Sequence, residues 1–143
     1  MKLKIVIDKD KEEEIVIFAH EKTELIKSIE ELIENNNFSF IGYNDKGAHK
    51  LVADEIYCFI SEKGKTFAIT EKYKLLVRSR LYQIEPNLDK NFVRLNQSCI
   101  ANINKMKRFE TEISGSLTIV FKNGYKDYVS RRQLKVVKER IGI

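Results

Sequence analysis

This chain of 143 residues has no tryptophan, one proline, two cysteines and two histidines. Each scarcity excludes something. Cys58 and Cys99 are too few and too far apart for a disulfide framework or a thiolate zinc site, and their apolar, strand-like settings read as buried free thiols. His20 and His49 sit in no metal-ligand or nucleophile motif, and there is no P-loop and no GxGxxG. The acidic run Glu12-Glu13-Glu14 reads as a solvated turn rather than a metal site. These absences point away from an enzyme, and from any cofactor or metal. No apolar run approaches the roughly 20 residues of a membrane span, so no membrane insertion is expected. The opening MKLKIVIDKDKEEE lacks a signal-peptide core, which makes the expected location cytoplasmic.

What is present is the composition of a folded domain. Hydrophobic residues make up 43% of the chain, and at this length roughly two thirds of the unfolded surface can be buried. The net charge of +5 is unevenly spread. Residues 1–40 carry six Lys/Arg and ten Asp/Glu, net −4, whereas residues 41–143 carry twenty against eleven, net +9. Basic charge concentrated in the C-terminal part suits a polyanion partner, although a solvated lysine-rich surface would look the same.

The pattern divides the chain near residue 40. Leu3, Ile5 and Ile7 alternate as in a strand, and EIVIFAH (14–20) reads as a second strand. Leu25, Ile26, Ile29, Leu32 and Ile33 then recur at helical spacing over about 23–34, with Asn35-Asn36-Asn37 as the stop. Residues 1–40 therefore read as a strand–strand–helix unit. From residue 38 onward short strands alternate with turns at Asn44–Gly47, Ala53-Asp54, Lys63-Gly64 and Glu71-Lys72, the spacing of a β-rich domain. Ser79 is placed to cap a short helix through Leu81 and Ile84, stopped by Pro86. LTIVF-KNG-YKDYV reads as a hairpin whose Asn123-Gly124 turn calls for positive φ at both positions. Ser130 and Gln133 have capping-box spacing for a last helix carrying Leu134, Val137 and Ile141 on one face.

Three places put polar groups where folding does not ask for them. Arg131 and Arg132 fall in the expected first turn of the last helix, where the helix dipole disfavours cations by roughly 0.3–1 kcal/mol each. An external phosphate, or the O6 and N7 of guanine, would reverse that sign. FVRLNQSCIANINKM (92–106) interrupts a strand with Asn96-Gln97-Ser98. Amides there could read adenine or bridge to phosphate, or could satisfy local backbone groups. Lys65, beside the Lys63-Gly64 turn, is likewise either a nucleic-acid contact or simply a solvated lysine at a hairpin tip.

The same stretches, FVRLNQSCIANINKM and LTIVFKNGYKDYVSRR, resemble the LytTR family of bacterial DNA-binding domains. Phe92, Arg94, Ser98, Asn102, Asn123, Gly124, Ser130 and Arg131 fit the family pattern, and the likeness covers roughly 45–143. It departs at residue 96, where the family commonly has His and this chain has Asn. The resemblance implies a mainly β fold of about ten short strands in small sheets with a C-terminal helix. It implies loops that enter successive major grooves of double-stranded DNA, with Lys65, Asn96, Gln97, Arg131 and Arg132 as the base-reading candidates. It also implies a homodimer on a direct-repeat operator. The roughly 40 residues ahead of the domain are too few for the phospho-receiver that many relatives carry.

The expectation is therefore an N-terminal segment over 1–40 and a LytTR-like domain over 41–143, together forming a transcriptional regulator. Asn96 and Gln97 should point outward at DNA. Lys105, Lys107, Lys135 and Lys138 are the phosphate-contact candidates. An RNA-binding module using the same basic surface is the alternative, and a protein-interaction adaptor working through the 23–34 helix is another. Tyr57, Phe67, Tyr73 and Tyr125 could stack RNA bases, but their alternation argues for core.

Overall fold

The short alternating segments beyond residue 38 form two antiparallel sheets in the computed structural model, which describes residues 1–34 and 39–143. The strands are β1 (Ser39–Asn44), β2 (Gly47–Val52), β3 (Cys58–Glu62), β4 (Lys65–Ile69), β5 (Lys74–Val77), β6 (Phe92–Asn96), β7 (Cys99–Asn102), β8 (Met106–Thr111), β9 (Leu117–Phe121) and β10 (Lys126–Val129). The helices are α1 (Glu24–Glu34), α2 (Leu81–Ile84) and α3 (Leu134–Ile141). The larger sheet runs in the order β2-β1-β5-β4-β3-β7-β6, and the smaller in the order β10-β9-β8.

Strand β3, interior to the large sheet between β4 and β7, is buried on both faces, so its alternation feeds two cores. Cys58 and Ile60 face one cluster with Leu95, Cys99, Ile119, Phe121 and Val137, which joins the large sheet to the small sheet and α3. Phe59 faces the other, with Phe40, Leu75, Ile84, Phe92 and Ile100 under α2. Its ring lies 4.8 Å from that of Phe40 and 6.1 Å from that of Phe92. Burying a side chain of that size stabilises the fold by roughly 1.5–3 kcal/mol. Cys58 and Cys99 are both buried free thiols. Gly42 is required by packing: a Cβ there would meet the Leu75 Cβ at 2.7 Å.

Several local expectations need correction. Residues 1–23 contain no paired strand, so the strand–strand part of the N-terminal unit does not form. The apolar alternation is real, but those side chains find no sheet to cover: Leu3, Ile7 and Phe18 are 87%, 90% and 95% exposed. The helix of that unit does form, with Ile26 buried and Leu25 and Ile33 exposed. The Asn35-Asn36-Asn37 stop lies outside the described residues.

The positive-φ pair expected at Asn123-Gly124 is found instead at Lys63 (φ 51°) and Gly64 (φ 77°), between β3 and β4. At the later turn only Gly124 has positive φ, and Phe121 accepts from the Gly124 amide. That is the longer hairpin loop ending in a left-handed glycine. Asn123 serves it through its side chain, accepting from the Tyr125 amide and donating to the Thr70 carbonyl. Arg80, not Ser79, occupies the cap of α2, and the helix ends at Ile84, ahead of Pro86, which lies in the 3-10 turn Glu85–Asn87 that follows.

The Ser130 capping box does not form. α3 starts at Leu134 with Gln133 at its cap, so Arg131 and Arg132 lie in the turn before the helix rather than inside it.

Candidate nucleic-acid interface

Strand register decides which turns share an end of the molecule. Ile60 pairs with Cys99, and the Ser61 amide donates to the Ser98 carbonyl at 2.9 Å. The β3–β4 turn (63–64) and the β6–β7 turn (97–98) are therefore side by side. The loop leading into α3 joins them: the Ser130 amide donates to the Leu95 carbonyl at 2.9 Å. Three separate stretches of the sequence thus meet at one end of the two sheets.

Lys65 stands exposed at the start of β4, in a shallow cleft shared with Arg78, Ser79 and Arg80. Arg80 Nη1 donates to the Gly64 carbonyl at 3.1 Å, and the Arg78 guanidinium lies 4.3 Å from the centre of the Tyr43 ring. Sequence reasoning missed this pair. The signal was the RSR run between a strand and a short helix.

A second cleft, of about 420 Å³, is lined by Arg94, Gln97, Tyr128, Ser130, Arg132 and Gln133, with Asn96 at its base. Gln97, Arg131 and Arg132 are exposed. None of the three makes a side-chain ion pair among the described residues.

Asn96 does not point outward, and this corrects the expectation for it. Only 2% of it is exposed. Its Nδ2 donates to the Tyr128 carbonyl at 2.7 Å and to Asp127 Oδ1 at 3.0 Å, and its Oδ1 accepts from the Ser98 amide at 2.8 Å. The amide's hydrogen-bonding capacity is spent inside the protein, as a buried polar side chain requires. Arg94 holds the same turn from the other side, donating to the Asn96 and Gln97 carbonyls and pairing with Glu85 at 3.0 Å.

Asp127 is the anchor beneath. It also accepts from the Tyr125 hydroxyl at 3.0 Å. Burial, with this carboxylate beside it, pushes the Tyr125 phenol far above the usual tyrosine range. The hydrogen bond to Cys58, together with burial, likewise raises the Cys99 thiol.

The phosphate-contact candidates separate. Lys135 is exposed in the first turn of α3, next to Arg131 and Arg132, and half-buried Lys138 lies one turn further on. Lys105 and Lys107 do not join them. The Lys122 amide donates to the Lys105 carbonyl, and the Lys105 ammonium lies 5.6 Å from the centre of the Tyr57 ring. That is the Ile69 and Asn102 end of the large sheet, opposite the three loops. Lys107 follows Met106, which pairs with Phe121 at the corresponding end of the small sheet.

The family model for the LytTr DNA-binding domain matches residues 46–142. The chain belongs to the LytTr family. It is 30% identical, over all of its length and 99% of theirs, to an uncharacterized HTH-type transcriptional regulator of Staphylococcus aureus strain MSSA476 and to its counterpart in strain MW2. Its fold matches the solved LytTr DNA-binding domain of a Bacillus cereus protein described as a methyl-accepting/DNA response regulator, at 19% identity and a TM-score of 0.69, covering 73% of this chain and 97% of that one. The mainly β architecture with its C-terminal helix is that of the LytTr domain. No two α-helices are consecutive among the described elements, so the helix-turn-helix in the relatives' names has no counterpart here. No described helix is long and apolar enough to cross a membrane.

Proposed function

We propose that this LytTr regulator reads specific sequences in DNA major grooves with the loop end of its β scaffold. The observation that carries the reading is the convergence of Lys65, Gln97, Arg131 and Arg132 from three distant stretches on one end, fixed by the Ser61–Ser98 and Ser130–Leu95 bonds. Arg132 and Arg131 have the donor geometry for guanine or phosphate, and Gln97 has the paired donor and acceptor that adenine presents a match for. Lys135 and Lys138 fix register on the phosphates. Arg78 and Arg80 extend the basic edge beside Lys65. DNA, not RNA, is the polymer the family match supports, and cytoplasmic DNA is where such a regulator works.

Two protomers on a direct repeat complete the reading, and residues 1–40 act as a segment distinct from the domain over 41–143. The unpaired, exposed apolar stretches around Leu3–Ile7 and Ile15–Phe18 favour self-association through that segment. Fluorescence anisotropy tests the proposal, using duplexes enriched from a random pool by the wild-type protein against random duplex and single-stranded RNA. Preference for the enriched duplex supports it. Equal, salt-steep binding to every polymer overturns it.

A further inference from the structure

Of the five base-reading candidates, Asn96 is the one the structure buries, while Lys65, Gln97, Arg131 and Arg132 are exposed. Asn96 spends both ends of its amide on protein, and Arg94 spends two nitrogens on the same turn and the third on Glu85. We infer that Asn96 and Arg94 are positioning residues that lock the Gln97-Ser98 turn against the loop entering α3, and that neither touches DNA. The inference deepens the DNA-reading proposal and rests on it for the consequence, but not for the geometry.

The bonds preorganise the turn. A two-residue turn at the end of a sheet has freedom that a base contact must otherwise remove on binding. Here Asn96 Oδ1 holds the Ser98 amide at 2.8 Å, and its Nδ2 grips Asp127 and Tyr128 of β10. Arg94 Nε and Nη2 hold the Asn96 and Gln97 carbonyls at 2.8 and 2.7 Å, while Glu85 fixes the guanidinium from the end of α2. Gln97 is thereby left free at the side chain and fixed at the backbone. β10 leads directly into Ser130 and Arg132, so the same bonds set the spacing between the second and third loops. A guanidinium committed to two carbonyls and a carboxylate has one donor of each of its three nitrogens occupied and its orientation fixed.

The test separates positioning from direct contact. Amide hydrogen exchange of free Asn96→Ala and Arg94→Lys is compared with wild type. Affinities are then measured for the wild-type-enriched duplex and for random duplex across a salt series. The expected result is exchange faster by about three- to tenfold at Gln97, Ser98 and Ser130. Affinity for the enriched duplex should fall by a similar factor, with random-duplex affinity and salt slope unchanged. Arg94→Lys keeps the charge, so a phosphate-contacting Arg94 would retain binding in this variant, and that overturns the inference. Unchanged exchange in both variants also overturns it. If Asn96→Ala does not fold, Arg94→Lys decides by the same readouts. If wild type shows no sequence preference, the DNA-reading proposal fails while the exchange arm still decides the positioning role.

Discussion

The amide of Ser61 donates to the carbonyl of Ser98 across 2.9 Å, one hydrogen bond beyond the last paired residues of β3 and β7. That bond holds the β3–β4 turn beside the β6–β7 turn. It converts loops more than thirty residues apart in the sequence into neighbours on one surface.

Arg132 and Lys135 should fail differently. Arg132→Ala should weaken the specific complex by about 1–3 kcal/mol if its fork reads a base. Lys135→Ala should weaken every duplex alike and reduce the salt slope by about one. Anisotropy titrations over a salt series distinguish the two.

Lys105 should be silent. Its ammonium sits over Tyr57 at the end of the sheet away from the loops. Lys105→Ala should leave both affinity and salt slope at wild-type values in the same titration. A lowered slope would place DNA on that end as well.

Gly42 should not accept a side chain. An alanine Cβ would stand 2.7 Å from Leu75 Cβ and 2.9 Å from Leu51 Cδ1, so strands β1 and β5 would have to move apart. Gly42→Ala should destabilise by about 1–3 kcal/mol, seen as a lower Tm. An unchanged Tm would mean that β1 shifts freely.

Tyr125 should make the fold sensitive to alkali. Its phenol is raised by burial and by the Asp127 carboxylate. A raised folded value favours the protonated form, so the stability it contributes is complete below the unfolded value of about 10 and lost as pH rises beyond it. Urea unfolding on either side of that value should show wild type losing more stability than Tyr125→Phe. Equal losses would place the phenol in water.

Much of this was legible in the sequence because period-2 alternation and turn residues act locally. The strands, the Lys63-Gly64 and Asn44–Gly47 turns and the α3 apolar face all follow from spacing. The failures were of two kinds. Residues 3–7 and 14–20 carry strand periodicity but pair with nothing, because alternation specifies a face and not a partner. Asn96 carried a polar signal that reads as outward-facing, but its side chain turns inward. Its inward turn depends on Asp127 and Tyr128, thirty-one and thirty-two residues away, and no local pattern encodes that contact. The same long-range register separates Lys105 from Lys135. The helix start slipped three residues because the Ser130 amide is claimed by the Leu95 carbonyl, a tertiary bond that holds the loop as a turn.

The central claim is that the three loops form one DNA face. Backbone NMR of the labelled protein, titrated with the enriched duplex, tests it most directly. The account predicts the largest amide shifts at 63–65, 97–98 and 130–135, with little change at 70–73, 103–107 and 122–124. Shifts concentrated at the second set, with the loop amides unmoved, would contradict it.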